Sequence, residues 1–120
     1  MNSKILKQYD DRLTSEMLPF SQMDKGTFAQ ARRKGNKFWV VEEDGKIIAV
    51  VTYKISKNPN LILGQYAWVN SNYDKMIYDI CKKIKEKENC NLMIVKIEKE
   101  LQDYYKEIGF TFISEGIAYV

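Results

Sequence analysis

The chain has 120 residues, with 19 basic and 16 acidic side chains and a net charge of +3. That balance excludes a globally basic nucleic-acid binder and leaves any polyanion contact to a local patch. At 45% hydrophobic and 29% charged residues it reads as one folded domain over 1–120, and the absence of histidine removes Ser-His-Asp and Cys-His nucleophile pairs and the usual catalytic zinc sets, so no metal is expected.

The start, MNSKILKQYDD, has no signal-peptide core. Ser3 reads as the cap of a first helix, with Ile5, Leu6, Tyr9 and Leu13 at helical spacing and Pro19 marking its end or a restart. A second short helix is expected after Asp24, through Phe28 and Ala31, stopping at Gly35.

The block KFWVVEEDGKIIAVVTYKIS reads as two strands joined by Asp44-Gly45, a favoured pair for a tight hairpin turn. Its longest apolar run, Ile47 to Val51, is far short of the roughly 20 residues of a membrane helix, and the expected location is the cytoplasm. Glu42 and Glu43, beside the turn, are expected at a solvated hairpin end. After Asn58-Pro59-Asn60, LILGQYAWV reads as a third strand, with Gly64 a candidate bulge.

From Asn70 the period becomes helical, with Met76, Ile77, Ile80 and Ile84 on one face and Asn72 or Asp74 as candidate caps. The lysines of KKIKEKE interleave with glutamates as on a solvated face and give no strong nucleic-acid signal. Cys81 and Cys90 are roughly 13 Å apart along such a helix, too far for a disulfide, and read as free thiols of a reducing compartment. NLMIVKI, Asn91 to Ile97, then reads as a buried strand parallel to the third. Leu101, Tyr104, Tyr105 and Ile108 give a short helix over Glu100 to Ile108 closed by Gly109, and FTFI and IAYV around Ser114-Glu115-Gly116 give a second hairpin. The expected fold class is α+β: a central mixed sheet with one parallel strand-helix-strand crossover and flanking helices. On its own pattern Tyr105 is a core tyrosine, sharing a helix face with Leu101 and Ile108.

The order of a DG hairpin, AWV leading into a helix, LMIVKI and then YYKEIGF resembles the GNAT superfamily of acyl-CoA-dependent N-acyltransferases, from about Phe38 to Val120. The resemblance implies acetyl-CoA as acyl donor and a small-molecule or protein amine as acceptor. It implies backbone contacts from Tyr66, Ala67, Trp68 and Val69 to the pantetheine arm, and Tyr105 as the acid that protonates the leaving thiolate. Glu42 is the nearest candidate base in sequence, since Leu61 to Val69 holds no acidic residue; an ordered water is the alternative.

Three departures from the family pattern stand out. Where the family carries a glycine-rich pyrophosphate loop, this chain reads VNSNYDKMIYD, leaving Asn70, Ser71 and Asn72 to offer amides to an anion. The span from Val69 to Leu92 is shorter than usual by about seven residues, close to 10 Å of helix. The family's first strand is absent if the chain begins with a helix, leaving a sheet edge for the N-terminal segment, a partner protein or a second copy to cover. A degenerate or truncated member is expected: a minimal N-acetyltransferase, or a non-catalytic interaction or regulatory module on the same fold.

Overall fold

The computed structural model describes residues 2–6, 10–17, 35–56, 61–69, 75–94, 97 and 99–120, with the backbone alone over 61–69 and no side chain at 14 or 17. Among these, seven strands form one sheet: β1 (Asn2–Leu6), β2 (Lys37–Glu43), β3 (Lys46–Ser56), β4 (Leu61–Val69), β5 (Asn91–Ile94), β6 (Thr111–Ser114) and β7 (Ile117–Tyr119). The order is β1-β2-β3-β4-β5-β7-β6, antiparallel except where β4 meets β5 in parallel. The helices are α1 (Asp11–Met17), α2 (Met76–Glu88) and α3 (Gln102–Ile108), the last preceded by a 3-10 turn at Lys99–Leu101. The second helix expected from Asp24 lies outside the described residues.

β2 and β3 turn at Asp44 (φ 53) and Gly45 (φ 77), both left-handed as a type I′ hairpin requires. Alternation then sends Trp39, Val41, Ala49, Val51 and Tyr53 into one core with Ile77, Ile80, Cys81 and Ile84 of α2. The opposite set, Phe38, Val40 and Val50, is also buried, on the face where α1 packs across β3 and hides Leu13 completely. Each such apolar side chain contributes about 1.5–3 kcal/mol by leaving water. Parallel pairing of β4 and β5 needs a long crossover, and α2 supplies it, as the helical period after Asn70 predicts.

The N-terminus corrects the expected helix from Ser3. Residues 2–6 are a strand, with Ile5 opposite Trp39 and Leu6 opposite Phe38. The edge of β2, left for the N-terminal segment or a partner to cover, therefore carries β1. Helix spacing of Ile5, Leu6 and Tyr9 is a weak local preference beside a ladder of backbone hydrogen bonds to β2. The helix starts later, at Asp10, whose Oδ1 accepts from the Arg12 amide at 2.9 Å, a side-chain cap.

Glu42 is corrected too: it is half-buried in a charge cluster. Its carboxylate accepts from Lys4 at 2.7 Å and from Arg12 Nη1 at 3.1 Å. Arg12 also donates to Glu16 at 2.7 Å and to the Gly45 carbonyl at 2.9 Å, and Glu16 accepts the Ile47 amide at 2.9 Å. A lysine on β1 and an arginine on α1 draw the glutamate in, neither being sequence neighbours of the turn.

YYKEIGF closes α3 as a Schellman motif. The Gly109 amide donates to the Lys106 carbonyl at 3.2 Å and the Phe110 amide to the Tyr105 carbonyl at 3.0 Å, and the Tyr105 and Phe110 rings meet edge-on at 5.2 Å, the apolar contact that accompanies this cap. Gly109 has φ +129, and a Cβ there would stand 3.0 Å from the Tyr78 ring. Substitution Gly109→Ala meets backbone strain and a ring that must shift to admit the methyl group, and is expected to cost about 2–4 kcal/mol in a urea melt.

A second expectation concerns acid. Hydrogen bonding to Arg12 holds the Glu16 carboxyl below the usual range, and hydrogen bonding to Lys4 does the same for Glu42. Their contribution is present above the ordinary glutamate value of about 4.3 and is lost as pH falls through the lowered values. Arg12→Met should therefore lower the melting temperature at pH 7 and by less at pH 3.

Candidate active site

β4 is nine residues long, and only its first four pair with β5: Leu61 with Asn91, Ile62 with Leu92, Leu63 with Met93 and Gly64 with Ile94. On its other side β4 stays paired with β3 through Val69. Between Gly64, opposite Tyr53, and Tyr66, opposite Thr52, Gln65 is an extra residue, so the bulge expected at Gly64 falls immediately after it. A bulge bends its strand and sharpens the local twist, and here it follows the last described pair of the parallel ladder. The β5-facing backbone of Tyr66, Ala67, Trp68 and Val69 thus has no strand partner among the described residues.

Tyr105 sits on α3 and packs, half-buried, against the core that α2 forms with the sheet. Its ring has Tyr104 on one side, at 5.7 Å and 65°, and Phe110 on the other, at 5.2 Å and 81°. Burial pushes its phenol up to about 12, with smaller contributions from the Cys81 thiol and Tyr104. A hydroxyl in that state keeps its proton throughout the physiological range. Cys81 is itself fully buried, and burial pushes its thiol up to about 12, so it is an inert core side chain rather than a nucleophile. Both cysteines are free thiols.

The expected site residues are not all gathered. The backbone of Tyr66 to Val69 and the half-buried Tyr105 belong to the half of the molecule built around the β4-α2-β5 crossover and α3. Glu42 lies on β2, two strands from β4 and thus about 10 Å across the sheet, with its carboxylate committed to Lys4 and Arg12. Asn70, Ser71 and Asn72 lie outside the described residues. No group of three or more Cys, Asp and Glu side chains among the described residues is placed to hold a metal, and no helix among them is long and apolar enough to cross a membrane.

Two features escaped the sequence. Gln65 is the bulged residue, and the adjacent glycine was its only trace. Tyr78 packs against Gly109 and Phe110, a contact across 31 positions that no linear pattern signals. A separate open groove of about 550 Å3, lined in part by Tyr78, Lys82 and Lys85, lies at the far end of β5, where Asn91 and Val120 meet the C-terminal half of α2.

No family model and no curated protein matches the sequence. Solved structures do match. Tetrahymena GCN5 superposes with a TM-score of 0.71 at 16% identity, over 92% of this chain and 79% of that one. A Bacillus subtilis acetyltransferase in complex with CoA gives 0.65 at 12% identity, over 93% and 77%. A probable acetyltransferase from Staphylococcus epidermidis gives 0.62 at 17% identity, over 94% and 85%. The strand order and the single parallel pair among the described residues fit that likeness: the chain has the fold of the GNAT acetyltransferases.

Proposed function

We propose that the chain is an acyl-CoA-dependent N-acetyltransferase of minimal form, moving an acetyl group from acetyl-CoA to an amine. The observation that carries this reading is that, among the described residues, β4 is paired with β5 only from Leu61 to Gly64, so the β5-facing backbone of Tyr66 to Val69 offers donors and acceptors for an extended polar arm to pair with. Similar structures hold coenzyme A, and the cleft is where a thioester would enter. Asn70, Ser71 and Asn72, ahead of α2, are the residues to bind its pyrophosphate in place of a glycine-rich loop. The two free thiols suit a reducing cytoplasm.

In the transfer the amine nitrogen attacks the thioester carbonyl carbon, the C–N bond forms and the C–S bond breaks. A β4 amide within Leu63 to Val69 polarises the carbonyl, and Tyr105 meets the departing sulfur. With its phenol at about 12 against a thiol of about 8.5, complete proton transfer from Tyr105 is uphill by about 5 kcal/mol. Its role is therefore mainly that of hydrogen-bond donor to the thiolate, with the final proton drawn from solvent. Glu42 is poorly suited as base, because the two cations beside it hold its carboxyl low; water takes the proton from the amine. The acceptor is a small-molecule or protein amine.

One sequence feature favours a second reading, a GNAT-fold module without catalysis that binds a partner protein: VNSNYDKMIYD has no glycine. Calorimetry with acetyl-CoA separates the two. Saturable binding is expected, and none at millimolar coenzyme would leave only the second reading. Tyr105→Phe should bind acetyl-CoA as the wild type does and turn it over about a hundredfold more slowly. Because the Tyr105 phenol stays protonated, its loss of a proton should add no falling limb to the kcat profile between pH 7 and 10; such a limb, absent from Tyr105→Phe, would contradict the raised value of the phenol and point to full proton transfer from it.

A further inference from the structure

We infer that Tyr78 of α2 is a positioning residue for Tyr105, acting through the ring of Phe110 and the bare Cα of Gly109. The inference rests on the reading of Tyr105 as the donor to the leaving sulfur, and its geometry stands apart from that reading. α3 is seven residues long, has no side-chain N-cap hydrogen bond and contributes no fully buried residue. Two turns of helix cannot hold their own orientation, so the direction of Tyr105 has to be set from outside.

Phe110 sets it. Its ring is 4% exposed and is met edge-on from two sides: by Tyr78 at 5.2 Å and 83°, and by Tyr105 at 5.2 Å and 81°. Both are the T-shaped arrangement aromatic pairs prefer. Backbone closes the same loop, since the Phe110 amide is bonded to the Tyr105 carbonyl at 3.0 Å. Against the other side of the cap, the Tyr78 ring occupies the space a side chain at 109 would need. One ring on a 13-residue helix thereby locates the end of α3, the Phe110 rotamer and, through it, the Tyr105 ring. The contacts are made by the ring, so phenylalanine at 78 suffices for them.

The test uses the intact chain with ring-labelled tyrosine, the Tyr105 resonance being assigned from Tyr105→Phe. In Tyr78→Ala that resonance should move, and its titration should fall toward the ordinary value of about 10. The kcat should drop by about tenfold to a hundredfold, the range a misplaced catalytic group produces, with KM for acetyl-CoA held within about twofold. Tyr78→Phe should restore all three. Tyr78→Leu keeps apolar bulk without a ring and serves if the alanine variant does not fold; it should behave like the alanine variant. A folded Tyr78→Leu whose Tyr105 resonance and titration match the wild type would overturn the inference. A wild type that turns over no acetyl-CoA removes the donor role of Tyr105 and leaves the resonance test of positioning in force.

Discussion

Among the described residues, the backbone of β4 is paired on both sides as far as Gly64 and on one side beyond it. Everything proposed for the site follows from that change. Unpaired donors and acceptors in a sheet are costly to leave unmet, and a strand interior is an unusual place to find them. The extra residue Gln65 follows directly on the last described pair with β5, and a bulge re-aims its strand. On its β3 side β4 keeps its ladder to Val69.

Around that edge the helices divide the work. α2 carries the buried stripe that fixes it to the sheet, whereas α3 has none and is located by its C-terminal cap. The cap explains why Tyr105, Gly109 and Phe110 stand where they do: they are the fourth-last residue of the helix and the first and second residues beyond it in a Schellman motif, each required by its geometry. A string that carries a proton-donor hypothesis is thus first a solution to ending a helix. The two roles are compatible, since the cap holds the phenol in a half-buried place where burial preserves its proton.

The hairpin at Asp44-Gly45, the β4-α2-β5 crossover and the α3 cap were legible because each is encoded by local chemistry: paired left-handed turn residues, a change of period, a glycine where φ is positive. The N-terminal strand was not, because Ile5 and Leu6 fit a helical stripe as well as a strand and only the waiting edge of β2 decides between them. Glu42 was misjudged for a similar reason: its neighbours in sequence are a solvated turn, and its neighbours in space are Lys4 and Arg12. Of the candidate site, the strand and the tyrosine could be read. Where the described ladder between β4 and β5 ends could not be read from local chemistry, since it depends on two segments about 30 residues apart; a splaying of the two strands is implied only by the family resemblance.

The Arg12 cluster bears on how the hairpin finds its pairing. Side chains alternate along β2, so a slip of one residue against β3 would turn Glu42 to the opposite face. Lys4 and Arg12 would then lose their carboxylate together, and α1, seven residues long and unable to persist alone, would lose the anchor that ties it to β2. The mispaired hairpin is penalised by elements that are not part of it, which makes the N-terminal segment a selector of register as well as a cover for the sheet.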